Sequence, residues 1–221
     1  MSDHQVQRLR VTFGIGQHVK YISHLDLMRA WERALRRARV GVAYSEGFNP
    51  RPKLVFAAAL PVGFTASAEV VDILLEQPTD LQRFAVAVEA QLPVGLELVS
   101  VTEVPTASPS LPSQVTAAEY RVLIETEEPP ERIQGLLDRL LASDTLLRVR
   151  QRPQGAKQYD LRPLVHRLWL IGPQEEGVAV GMLLQASAQG TGRPDEVMAE
   201  LDMADAVRGI ERVSLKFAAS G

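Results

Sequence analysis

The sequence predicts an α+β fold: two tandem ferredoxin-like sandwiches, each built in the order βαββαβ. Three observations lead there. A proline- and serine-rich stretch interrupts the chain near its middle, the same succession of apolar periods stands on both sides of it, and each side is roughly a hundred residues long, within the usual domain range. The stretch, Val104–Ser113, holds three prolines and three serines and no charge. Proline removes a backbone donor and restricts the residue before it, so this segment resists helix and central strand alike. The expected division is therefore a first unit at 1–104, a linker at 105–117 and a second unit at 118–221.

In the first unit, Arg8–Phe13 alternates polar and apolar residues as a half-buried strand does. Ser23 stands where a helix needs an N-cap, with Asp26 three residues on as a weaker capping box. Leu25, Met28, Trp31, Leu35 and Ala38 then recur at spacings of three and four, which predicts an amphipathic helix to about Arg39. Leu54–Leu60 and Glu69–Glu76 read as strands joined through Pro61-Val62-Gly63. Thr79 is placed to cap a second helix running to about Gln91, and Leu96–Val104 alternates again.

The second unit repeats the order. Tyr120–Glu125 is a strand, and Pro130–Ala142 is a helix with proline in its first turn. Leu146–Arg150 and Val178–Ala186 are strands, Arg193–Leu201 a helix and Arg212–Phe217 a closing strand. Asp160–Leu170 is expected as a short extra helix.

Composition excludes several classes of function. Of 221 residues, 46% are apolar and 23% charged, ordinary values for a packed domain. There is no cysteine, hence no disulfide, no thiolate nucleophile and no cysteine-held cluster or zinc. The N-terminus lacks the basic-then-apolar pattern of a signal peptide, and no apolar run approaches a membrane span, so a soluble cytoplasmic protein is expected.

Charge is segregated along the chain. The net charge of −3 conceals ten Lys/Arg against four acids in residues 1–53, and six against one in residues 148–169. The intervening and final segments are acidic. Such polarity suits an anionic partner, although the blocks also serve to neutralise each other across the fold.

Three segments concentrate the cations. On the first helix, Arg29, Arg33, Arg36 and Arg37 follow helical spacing opposite the apolar face, and arginine grips phosphate through paired hydrogen bonds. The alternative is a solvated face partly paired with Glu32. The loop Tyr44–Lys53 combines turn formers, Pro50 and Pro52, the aromatic Phe48 and the cations Arg51 and Lys53. A stiff loop of that kind holds a phosphate and stacks a base at small ordering cost, or else Phe48 plugs the core. Arg148–Lys157, followed by Tyr159, Asp160 and Arg162, lies in a comparable place after the first helix of its unit. The expected nucleic-acid contacts are Lys20, Arg29, Arg33, Arg36, Arg37, Phe48, Arg51, Lys53, Arg150, Arg152, Lys157 and Arg162.

These residues carry a resemblance. Tyr21-Ile22-Ser23-His24-Leu25-Asp26-Leu27-Met28-Arg29, then Tyr44–Lys53, then Ala59-Leu60-Pro61-Val62-Gly63 resemble the radical SAM-associated domain family. Asp160-Leu161-Arg162-Pro163 is similar to that family's second short signature. The family stands beside, or is fused behind, cobalamin-binding radical SAM proteins. The resemblance implies a non-catalytic accessory of a radical SAM enzyme. It also implies an RNA or ribonucleoprotein partner, since such family members are encoded near RNA-processing and ribosomal genes.

Catalytic constellations are sparse. His4, His18, His24 and His166 have no metal-ligand spacing, Gly14-Ile15-Gly16 lacks the third glycine of a dinucleotide fingerprint, and there is no phosphate-binding loop. No metal or cofactor is expected. One enzyme reading survives by analogy of fold: a metal-independent endoribonuclease like the CRISPR repeat-processing enzymes, with His24 as general acid–base near Lys20 and Tyr21. A protein-interaction adaptor, docking an acidic partner on the basic segments, is the other alternative.

Overall fold

The computed structural model describes residues 6–152, 155–175 and 177–218, the side chains of residues 151, 152 and 157 excepted. It is a mixed α+β protein that divides into two compact units, Met1–Val115 and Thr116–Gly221.

The first unit contains β1 (Gln7–Ile15), α1 (His24–Arg37), β2 (Leu54–Phe56), β3 (Thr65–Leu75), α2 (Leu81–Glu89), β4 (Leu96–Val104) and a single turn of helix, α3 (Leu111–Gln114). Its strands lie in the order β2-β3-β1-β4, and every pairing is antiparallel. The alternation of β1 decides what each face does. Leu9, Val11 and Phe13 are fully buried, and with Trp31 and Leu35 of α1 and Phe84 and Val88 of α2 they form the core. Phe13 meets Trp31 edge-on at 5.0 Å and Phe56 at 6.0 Å. Each such side chain contributes about 1.5–3 kcal/mol through burial, so α1 is held mainly by its apolar face.

The alternate β1 side chains, Arg8 and Arg10, converge on Asp72 of β3, which is 3% exposed. Arg8 reaches it at 3.0 and 2.6 Å and Arg10 at 2.8 and 3.0 Å. Arg8 also donates to the carbonyls of Ser108 and Pro109, at 2.8 and 3.0 Å. The proline- and serine-rich stretch is therefore not a free linker. It is fastened into the first unit, and Leu111 within it is fully buried.

The second unit contains β5 (Val115–Ile124), α4 (Pro130–Ala142), β6 (Leu147–Arg152), β7 (Gly155–Asp160), β8 (Val165–Gln174), β9 (Gly177–Ser187), β10 (Gly190–Thr191), α5 (Pro194–Glu200) and β11 (Val207–Phe217). Its sheet places β9 beside β5 and β5 beside β11, with β8 and β10 also pairing β9. β6 and β7 form a separate two-stranded ribbon.

This corrects two expectations. Leu146–Arg150 does not join the sheet but belongs to the ribbon. The partner of β9 is β8, in the segment expected as a helix, of which only Arg162–Leu164 is helical, as one 3-10 turn. Two register shifts, at Val165/Arg167 and Leu170/Gly172, break the period-2 pattern by which a strand is recognised. Gly181 of β9 completes the pairing: a Cβ there would lie 2.0 Å from the Trp169 ring of β8, so only glycine admits that indole.

Candidate nucleic-acid interface

α1 begins as its sequence predicts. The Ser23 hydroxyl accepts the Asp26 amide at 3.1 Å and donates to the Asp26 carboxylate at 2.7 Å. That hydrogen bond, with Arg29 at 3.3 Å, holds the Asp26 carboxyl below its usual pKa, and Arg33 adds its field. Arg29 is thus partly committed to the helix start. Arg33, Arg36 and Arg37 are exposed, and their guanidiniums have neither an ion pair nor a hydrogen bond among the described residues; Glu32 does not engage them. The three lie on the last turns of the 14-residue α1, spaced over about 6 Å of its axis, or about 12 Å counted from Arg29. Lys20, half-buried before the helix, lies 5.1 Å from the ring of the exposed Tyr21.

The loop that follows α1 is closed at its base by backbone bonds. Ala43 donates to Leu74 at 2.8 Å and Lys53 to Ala43 at 2.8 Å, while Leu74 donates to Lys53 at 3.1 Å. Higher up, Tyr44 bridges Pro52, the Ser45 amide donates to Arg51 at 2.8 Å, and the Arg51 amide returns to the Ser45 hydroxyl at 3.0 Å. Gly47, at φ +122°, turns the tip. Phe48, next to it, is fully exposed and plugs no core. The Arg51 and Lys53 side chains are exposed and carry no ion pair among the described residues.

The cations of the second unit are placed otherwise. Arg150 pairs with Glu196 through two bonds, at 3.0 and 2.6 Å, and its guanidinium stacks 4.7 Å from the centre of the Tyr159 ring. Arg148 pairs with Glu200 at 3.1 Å. Burial works to raise the Glu196 pKa, but the hydrogen bonds from Arg150 and Tyr159 outweigh it and the net shift is downward. Burial, followed by the bond to Glu196, pushes the Tyr159 phenol up to about 12. Arg162 donates to the Leu141 carbonyl at 3.1 and 2.7 Å and to the Val165 carbonyl at 2.8 Å, so its guanidinium ties α4 to the start of β8. Arg150 and Arg162, expected as phosphate contacts, are both engaged within the fold, Arg150 by the Glu196 carboxylate and Arg162 by two backbone carbonyls. The side chains of Arg152 and Lys157 lie outside the described residues.

His24 opens α1 with its ring edge-on to Phe56 at 5.3 Å, and its Nδ1 is buried without a hydrogen-bond partner. The residue as a whole is half-buried. Among the described residues no three His, Asp or Glu side chains stand together as a metal-ligand group, and no helix is long and apolar enough to cross a membrane.

Two features escaped sequence reasoning. Where α1 ends, a cleft of about 620 Å³ is lined by Arg39, Gly41, Glu76, Pro78, Arg83 and Phe84 among others. In the second unit, a polar recess of about 490 Å³ opens beside Arg150, Tyr159 and Asp160. The first had a legible signal, since Arg83 is a cation in the opening turn of a helix, where acids are favoured. The second depends on the pairing of residues 46 positions apart, which no local pattern foretells.

The family described as "Uncharacterized protein conserved in bacteria (DUF2344)" matches residues 8–194. No curated protein matches the chain in sequence. Among solved structures, a chain of a Cbf5-Nop10-Gar1 complex is similar in fold, with a TM-score of 0.50 and 8% identity, covering 97% of this chain and 50% of that one. A chain of the archaeal box H/ACA sRNP Nop10-Cbf5 complex gives 0.47 and 8%, covering 98% and 50%. This chain thus spans about half the length of each, and at that identity the likeness concerns fold alone.

Proposed function

The chain belongs to the DUF2344 family, and for it we propose a non-catalytic RNA-binding accessory that works beside a radical SAM enzyme. The observation that carries the RNA reading is the contrast between two groups of cations that the sequence singles out. Arg33, Arg36, Arg37, Arg51 and Lys53 of the first unit are exposed without ion pairs among the described residues, and the loop that carries Arg51 and Lys53 also carries the fully exposed Phe48. Arg148, Arg150 and Arg162 of the second unit are spent on carboxylates and carbonyls. Unpaired guanidiniums on a rigid helix, with an aromatic on a pre-closed loop, suit phosphate and base respectively.

The radical SAM partnership is supported by the strings Tyr21–Arg29, Tyr44–Lys53 and Ala59–Gly63; a chain without cysteine supplies no cluster and takes the accessory role. We read both units as ferredoxin-like repeats. The strand order β2-β3-β1-β4 supports this in the first, and β8-β9-β5-β11, with the β6–β7 ribbon as an insertion after the first helix, supports it in the second.

The test is capture of the full chain from native cells, with bound RNA sequenced and bound proteins identified, in parallel with the Arg33/Arg36/Arg37→Gln variant. Recovery of a radical SAM protein, with RNA that the variant loses, is the expected outcome. RNA recovered equally by both proteins overturns the interface, and recovery without any radical SAM protein overturns the partnership.

A further inference from the structure

We infer that the cleft at the end of α1 is a seat for one nucleotide, its phosphate held by Arg39 and Arg83. The ligand class rests on the RNA reading; the site stands on its own geometry. At about 620 Å³ the cleft lies in the range of small-molecule pockets. Its floor includes the buried Leu75 and Phe84, its rim includes Pro78, and Glu76 offers a carboxylate to ribose hydroxyls or a base amino group. Arg39 belongs to the segment that leads from the arginine stripe of α1 into the Phe48 loop, so the cleft lies on the chain path between the two surfaces already described.

Both arginines occupy positions where folding alone favours another residue. Arg39 stands just past the helix end at φ +56°, the left-handed position that glycine or asparagine takes at helix C-termini. Arg83 is the third residue of α2, after the cap Asp80, whose carboxylate accepts its amide at 2.8 Å. Glutamate or glutamine completes a capping box there, and a cation opposes the positive end of the helix dipole. Neither guanidinium has an ion pair or hydrogen bond among the described residues. Two locally disfavoured, unpartnered arginines lining one cleft are accounted for by an anion that uses both.

The substitutions that test this also remove the local cost. Arg39→Gly supplies the residue the backbone favours, and Arg83→Gln supplies the capping box, so each is expected to hold or raise Tm. Uridine 5′-monophosphate and uridine are titrated into the full chain, following amide resonances of residues 38–41 and 76–87. The monophosphate is expected to bind there at least about tenfold more tightly than uridine, and each variant to weaken it by about tenfold or more. Equal binding of the two ligands, binding unchanged in both variants, or a fall in Tm in both variants overturns the inference. An oligonucleotide with a 5′-phosphate that displaces the monophosphate, where its 5′-hydroxyl counterpart does not, identifies a strand end as the source. Displacement by both identifies an internal phosphate, and displacement by neither a free nucleotide. Absence of monophosphate binding while RNA still binds through α1 rejects the nucleotide seat and leaves the RNA reading intact. Absence of RNA binding rejects that reading alone.

Discussion

Replacing Arg33, Arg36 and Arg37 together by glutamine should flatten the salt dependence of RNA binding by a calculable amount. Five cations assigned to the interface, these three with Arg51 and Lys53, are among those of the first unit that lack ion pairs among the described residues. Each phosphate neutralised on a single strand contributes about −0.7 to the slope of log K against log salt, so five contacts give about −3.5. That slope means a loss of about a hundredfold between roughly 50 and 200 mM salt. The triple variant should leave a slope of about −1.4, and Arg51→Gln with Lys53→Gln should leave about −2. Glutamine keeps the helix propensity of arginine and these positions are exposed, so stability should move by less than about 0.5 kcal/mol per site. The control is Arg148→Gln with Arg150→Gln in the second unit, whose charges are committed to Glu200 and Glu196; the slope should not change. The assay is fluorescence anisotropy with a labelled single strand over a salt series, circular dichroism accompanying each variant. A triple variant that keeps the wild-type slope, or a second-unit control that flattens it as much, refutes the reasoning.

Five further outcomes follow from the geometry. Asp72→Asn removes the charge on which Arg8 and Arg10 converge, so urea denaturation should show a loss of about 3–5 kcal/mol; unchanged stability means the pair is not the clamp described. Glu196 has a lowered pKa in the fold, so its contribution is present above the ordinary value of 4.5 and is lost as pH falls through the lower folded value. The loss should be absent in Glu196→Gln. Tyr159 has the opposite sign: its pKa is raised from 10.0 to about 12, so its contribution is full below pH 10 and disappears as pH rises through about 12, and the matching absorbance step should vanish in Tyr159→Phe. Phe48→Ala should weaken single-strand binding by about 1–3 kcal/mol with Tm unchanged, whereas Arg162→Met should lower stability by about 1–3 kcal/mol through the orphaned carbonyls of Leu141 and Val165 and leave RNA affinity alone; the reverse pattern in either variant contradicts its assignment.

The first unit was largely legible because its signals are local. The Ser23 cap, the exposed arginines of α1 and the alternation of β1 each follow from a few neighbouring residues and recur in the structure, although the buried face of α1 is Leu27, Ala30, Trp31, Ala34 and Leu35, and Leu25, expected on it, is exposed. Where reading was off, small local choices decided it: Asp80 rather than Thr79 caps α2, and β2 stops at Phe56. The second unit was harder because long-range pairing overrides local pattern. β8 is interrupted by two register shifts and recruited by β9, while β6 has strand alternation but, among the described residues, pairs with β7 in a separate ribbon. The candidate site divides along the same line. Exposure of the α1 arginines follows from helical spacing, but the capture of Arg150 by Glu196, and of Arg162 by the Leu141 and Val165 carbonyls, depends on residues brought together only by the fold. Charge counted along a sequence therefore overstated the second basic segment, since charge counts do not reveal partners.

The most direct test of the central claim is ultraviolet crosslinking of RNA to the full chain, with the crosslinked peptides mapped by mass spectrometry. The account predicts crosslinks within residues 20–53, concentrated at Phe48 and the α1 stripe and lost when the stripe is neutralised. Crosslinks confined to residues 116–218, or unaffected by the Arg33/Arg36/Arg37→Gln substitution, would contradict it.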